Sequence, residues 1–210
     1  MTQFVGRMSQ VEPHFAIFSD SENARIAAEN ALAKIKSGRN GANLINSIVN
    51  VQTPEKYVQI RATYDERETN GTLARLTQSQ MNNYTKDLKP DTLPYNREAF
   101  KNATNGEGVR PVVWYNPNHT VHVNSQGEPK LVYNDPSQSF VGLAHELVHA
   151  YHMIKGDQYG SDPRTSAHDD DEHFRDEVRA VGFSIYSNNP LSENAIRADH
   201  NIPLRQGYFE

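Results

Sequence analysis

Apolar residues fall at helical spacing in the segment SDSENARIAAENALAKIKSGRNG. Ser21 stands where an N-cap belongs, Ile26, Ala27, Leu32 and Ile35 recur along it, and Gly38 follows the last of them. The pattern predicts an amphipathic helix. A second, shorter helix is predicted over Ala42–Val49. Tyr57, Val58 and Ile60, followed by Arg-Ala-Thr-Tyr, read as a strand. Thr69–Gly108 is polar, rich in Asn and Lys, and interrupted by Pro90 and Pro94. It predicts one short helix in a segment that otherwise wraps the surface. Val112–Tyr115 and Thr120–Val123 read as strands joined by the turn-forming Asn-Pro-Asn-His, and a further short strand is predicted at Lys130–Tyr133. Residues 1–20 show no clear period and contain Pro13, so a flexible or loosely docked lead-in is expected there. Helices, then strands, then helices predict an α+β fold, with residues 21–210 as one domain.

Composition narrows the classes. A chain of 210 residues fits one domain, and 36% apolar residues leave it a very polar surface. Lys and Arg number 21 against 26 Asp and Glu, a net charge of −5, which argues against broad nucleic-acid binding and against an electrostatic membrane anchor. With no cysteine, disulfides, Cys-based zinc sites, iron–sulfur clusters and a Cys nucleophile are excluded. No apolar run is long enough to cross a membrane, and the first residues lack the charged head and apolar run of a Sec signal.

The chemistry concentrates in NDPSQSFVGLAHELVHAYHMIKG. Asp135 is a candidate N-cap, Pro136 suits the first helical position, Gln138 suits a capping box, and Gly156 closes a helix of roughly twenty residues. Phe140, Val141, Leu143, Leu147, Val148, Ala150 and Ile154 make it apolar nearly all round, so it is predicted to be buried. Its polar residues His145, Glu146 and His149 spell His-Glu-x-x-His. Residues four apart share a helix face, so both imidazoles can bind one zinc ion. Glu146 lies about 100° round the helix. There it is placed to take the proton of an attacking water and pass it to the leaving amine. The bland alternative is a pair of satisfied core histidines.

Catalytic zinc usually has three protein ligands. His152 shares the helix face of His149, but one straight helix does not easily wrap three ligands round a tetrahedral ion. Asp157, in GDQYG, follows His149 closely. The stronger candidate is Glu177 in DEHFRDEVRAVGFSIY, read as a helix with Phe174, Val178, Val181 and Ile185 on one face. Glu177 lies at the edge of that stripe and is expected to point inward, Asp176 outward. A surface pair with Arg175 or Arg179 is the alternative for Glu177. His168, His173 and Asp169–Asp171 read as a solvated loop or as partners for a zinc histidine. Arg205 and Tyr208 are candidate oxyanion donors; their Arg-x-x-Tyr spacing resembles a pair in clostridial neurotoxin light chains. Tyr115 and Tyr186 read as packing residues. His14, His119 and His122 read as surface residues with no role.

The blocks AHELVHAYH, EVRAVG and SEN-x-I-R-x-x-H-x-x-P-L-R-x-x-Y, in this order over about Val113–Tyr208, resemble NleD-like zinc metallopeptidases, which are type III secretion effectors. The resemblance implies a bacterial enzyme that reaches the host cell cytoplasm and cuts stress-activated MAP kinases. It implies His145, His149 and Glu177 as ligands of Zn2+ and Glu146 as general base. A chain without disulfides suits threading through a secretion needle, and residues 1–20 are a candidate export signal. The expected fold is then a compact zincin-like α+β domain, its small sheet beside the His145–His149 helix. Val112–Tyr115 is the expected edge strand for an extended protein substrate. Two other readings remain open: a zinc peptidase with a different target, and a binding protein braced by zinc without hydrolytic activity.

Overall fold

The computed structural model describes residues 3–84, 88–160 and 171–207. The first predicted helix forms as α1 (Glu22–Lys36), and Ser21 caps it by accepting from the Ala24 amide. Its Ala24, Ala28, Leu32 and Ile35 are buried. The second, α2 (Arg39–Val51), starts ahead of the expected Ala42. The Asp199 carboxylate extends it by accepting from the amides of Asn40 (2.6 Å) and Gly41 (3.2 Å), donors that a helix N-terminus leaves unpaired.

The main sheet holds β1 (Val5–Met8), β2 (Ala16–Ser19), β3 (Gln59–Ala62), β4 (Gly71–Arg75) and β5 (Arg110–Tyr115). Its order is β1-β2-β3-β5-β4. The inner strands β2, β3 and β5 are parallel, and β1 and β4 are antiparallel edges. A separate antiparallel hairpin pairs β6 (His119–Val123) with β7 (Pro129–Tyr133).

Four expectations change here. The lead-in over residues 1–20 instead supplies β1 and β2, because Phe15 and Ile17 are fully buried and fix β2 beside β3. Thr69–Gly108 contains not one short helix but β4, α3 (Gln78–Asn82) and α4 (Leu93–Thr104). Every β4 residue is partly or fully exposed, so the strand carries no apolar alternation to betray it. Val112–Tyr115 is not the edge strand, since β5 is paired on both sides and the edge is β4. β5 and β6 also belong to different sheets rather than one hairpin.

The buried helix forms as α5 (Ser139–Lys155). Asp135 caps a single 3-10 turn over Pro136–Gln138, accepting from the Ser137 amide (2.9 Å), and α5 proper follows it. Gln138 therefore makes no capping box. Gly156 ends α5 at φ 77°, a left-handed conformation that glycine adopts freely. Fourteen of the seventeen α5 residues are buried. α5 packs on β5 and β4, α1 packs on β2 and β3, and α2 touches both helices. Leu143, Leu147 and Val148 are fully buried in the resulting core. The packing thus seats α5 against β5 and β4, and α6 (Asp171–Val181) and α7 (Glu193–Asp199) also meet it.

Candidate metal centre

Because His145 and His149 are one helical turn apart on α5, both rings emerge on the same face, and α6 delivers Glu177 to them. His145 Nε2 lies 3.1 Å from His149 Nε2 and 3.1 Å from Glu177 Oε2. His149 Nε2 lies 3.4 Å from Glu177 Oε1. Each of the three residues is buried. The three side chains expected as ligands converge here, and Glu177 is buried rather than a surface carboxylate.

The opposite ring nitrogens are spoken for. His145 Nδ1 donates to Glu193 Oε2 (2.9 Å), and His149 Nδ1 donates to Asp176 Oδ2 (2.8 Å). Arg179 in turn grips Asp176. Glu193 also accepts from Arg197 Nε (2.7 Å) and Arg205 Nη1 (2.9 Å). With both Nδ1 atoms protonated, a neutral ring carries its lone pair on Nε2. Two lone pairs and a carboxylate then face one point, and they repel unless a cation lies among them. Protons do this when nothing else does. Burial pulls His145 down, yet hydrogen bonds to Glu177 and Glu193 outweigh it and carry the ring up to about 9. His149 is likewise raised against its burial, chiefly by the charge of Glu177. Burial pushes Glu177 up, but His149 and His145 hold it well below the usual carboxylate range.

Zinc fits this donor set. Two imidazole nitrogens and one carboxylate are a known catalytic combination, and bonds of ~2.0–2.1 Å place tetrahedral ligands about 3.3 Å apart. The observed separations of 3.1, 3.1 and 3.4 Å match that edge.

The other candidates fall elsewhere. His152 Nδ1 bonds Asp157 Oδ1 (2.7 Å), and Asp157 also takes Lys155, so neither joins the cluster. Arg205 is buried and lines the cleft beside Glu146 while bonding Glu193. Tyr208 lies outside the described residues, as do His168, Asp169 and Asp170. Tyr115 is a packing residue whose hydroxyl meets Ser139 (2.9 Å).

Glu146 is buried at the junction of two clefts of about 170 and 210 Å3, which share Asn70, His145 and Glu146. Burial raises its pKa, opposed by the neighbouring rings of His145 and His149. Thr72 Oγ1 lies 2.9 Å from Glu146 Oε2 and 3.0 Å from its backbone oxygen. Gly142 makes room for the cleft wall: a Cβ there would meet Asn70 Nδ2 at 2.7 Å.

Sequence reasoning missed four of these residues. Asp176, expected to point outward, is 3% exposed, because α6 is enclosed on every side from residue 176 onward. The same geometry defeats the predicted stripe: Phe174 and Ile185 are exposed, at 45% and 79%. Glu193 had a faint signal in its i,i+4 spacing to Arg197. Thr72 had none. His119, expected at the surface, is 5% exposed, lines the smaller cleft, and stands edge-on to Tyr133 at 5.1 Å.

A family model, Peptidase_M91, described as effector protein, matches residues 14–208. Among solved structures, the catalytic domain of Clostridium botulinum neurotoxin serotype F is similar at 16% identity and a TM-score of 0.45, over 82% of this chain and 44% of that one. The botulinum neurotoxin type D light chain is similar at 16% identity and a TM-score of 0.40, over 73% and 48%. The chain spans less than half the length of these solved chains. A search of curated proteins finds no match.

Proposed function

We propose a function from one premise: this chain belongs to the Peptidase_M91 family of effector proteins. It is a peptidase-type effector, and its substrate is protein. The finer reading is a zinc-dependent endopeptidase with a zincin-like fold, exported by a type III system to the host cell cytoplasm. Host signalling proteins such as MAP kinases are the proposed targets. The observation that carries the zinc reading is the convergence of His145 Nε2, His149 Nε2 and Glu177 at tetrahedral-edge spacing, with both Nδ1 atoms already bonded.

When bound, zinc supplies Lewis acidity, polarising the scissile carbonyl and acidifying a water. Glu193 and Asp176 fix the ring tautomers that leave both Nε2 lone pairs available. Glu146 takes the proton from the attacking water and delivers it to the leaving amine. Burial raises its pKa, which favours holding the proton between those two steps. Arg205, on the cleft wall, and Tyr208, on its Arg-x-x-Tyr spacing alone, are the proposed oxyanion donors. The outer edge of β4, unpaired among the described residues, is the proposed seat for an extended substrate, added as a further strand.

A zinc-braced binding protein would use the same ligands and have no need of Glu146. Glu146→Ala is therefore expected to keep the fold and the zinc and to lose peptide cleavage by at least about 100-fold. Zinc loss in that variant, or cleavage at the wild-type rate, would overturn the assignment.

A further inference from the structure

The edge strand does more than border the cleft. Register pairs Thr72 of β4 with Val113 of β5, a core residue, so the Thr72 side chain turns toward α5. Its Oγ1 sits 2.9 Å from Glu146 Oε2 and 3.0 Å from Glu146 O. One hydroxyl proton is thus shared between the carboxylate and the carbonyl of the same residue. A glutamate has three side-chain torsions to fix, and this contact ties the end of the chain to its own helical turn. Oε1 stays outside the contact.

We propose that Thr72 is a positioning residue: its hydroxyl holds the Glu146 carboxylate in the orientation needed for proton transfer and couples the substrate-bearing edge strand to the general base. The inference rests on the peptidase reading above. Because Thr72 belongs to β4, any segment that pairs with the β4 edge is registered against Glu146 through this one side chain. The role concerns the catalytic step rather than substrate affinity or metal retention.

The test uses full-length, zinc-loaded protein and a peptide chosen from a proteome-derived library for its cleavage by wild type. Thr72→Val removes the hydroxyl and keeps the β-branched shape; Thr72→Ser keeps the hydroxyl. A hydrogen bond to a charged group is worth about a 10- to 100-fold change. The Val variant should lose that much kcat, with KM within about twofold and zinc content unchanged, and the Ser variant should recover most of the loss. Wild-type kcat in the Val variant, a loss seen only in KM, loss of zinc, or no rescue by Ser would each overturn the role of Thr72 while leaving the peptidase reading in place. A wild-type protein that holds zinc and cleaves no library peptide would overturn that reading, and this inference with it.

Discussion

Replacing Glu193 by Gln tests the support of the metal centre at its most buried point. Glu193 is 1% exposed and bonds three donors at once: Arg197 Nε at 2.7 Å on one oxygen, and Arg205 Nη1 and His145 Nδ1 at 2.9 Å on the other. Arg197 and Arg205 are themselves 0% and 2% exposed. A glutamine offers one oxygen and one NH2 group, so at least one donor faces another donor, and the carboxylate charge between two buried guanidinium groups is gone. Breaking a buried ion pair from one side costs about 3–5 kcal/mol. Where the amide NH2 faces His145, the ring must turn its Nδ1 lone pair outward and carry the proton on Nε2, the nitrogen meant for the metal. Loss of such a carboxylate partner typically weakens metal binding about 10- to 100-fold. Urea unfolding of the metal-free protein reads the first effect, and zinc titration against a competing chelator reads the second. Stability within about 0.5 kcal/mol of wild type together with unchanged zinc affinity would refute the proposed role of Glu193.

The metal-free protein should lose stability at both ends of the pH range. His145 is raised from 6.5 to about 9, so its contribution is full below pH 6.5 and disappears as pH climbs through about 9. Asp176, Glu177 and Glu193 are depressed below their ordinary values, so theirs is present above those values and is lost as pH falls. Urea midpoints measured from pH 2 to 10 in chelator check this, and an acid limb that stays flat down to pH 2, or an alkaline limb as flat as that of the zinc-loaded protein, would contradict it. Leu147→Ala, at a fully buried α5 position, should cost about 2–5 kcal/mol in the same assay.

How legible each element is in the sequence follows from how it is buried. α5 is apolar nearly all round, so its pattern announces the helix and makes His145, Glu146 and His149 stand out, although it makes His152 stand out too, and that ring bonds Asp157 instead. Glu177 stands beside a stripe of which only Val178 and Val181 are buried, so it is reached from a pattern that holds in part. Asp176 is not, because a one-sided stripe presumes a helix with an exposed back, and the C-terminal part of α6 has none. β4 is invisible for the opposite reason: an edge strand whose every residue keeps some exposure shows no alternation, and Thr72 goes unseen with it. Glu193 is brought to His145 from 48 residues away by the packing of α7 on α5, a juxtaposition that no local pattern encodes. β1 and β2 are hidden in a segment too short and too interrupted to display a period.

Metal content by mass spectrometry, on wild type and Glu177→Ala purified side by side with zinc supplied, bears most directly on the site. About one zinc per chain in the wild type and little in the variant is expected, since Glu177 closes the ligand set that His145 and His149 begin. A wild-type protein that takes up no zinc, or a variant that retains it fully, would contradict the proposed centre.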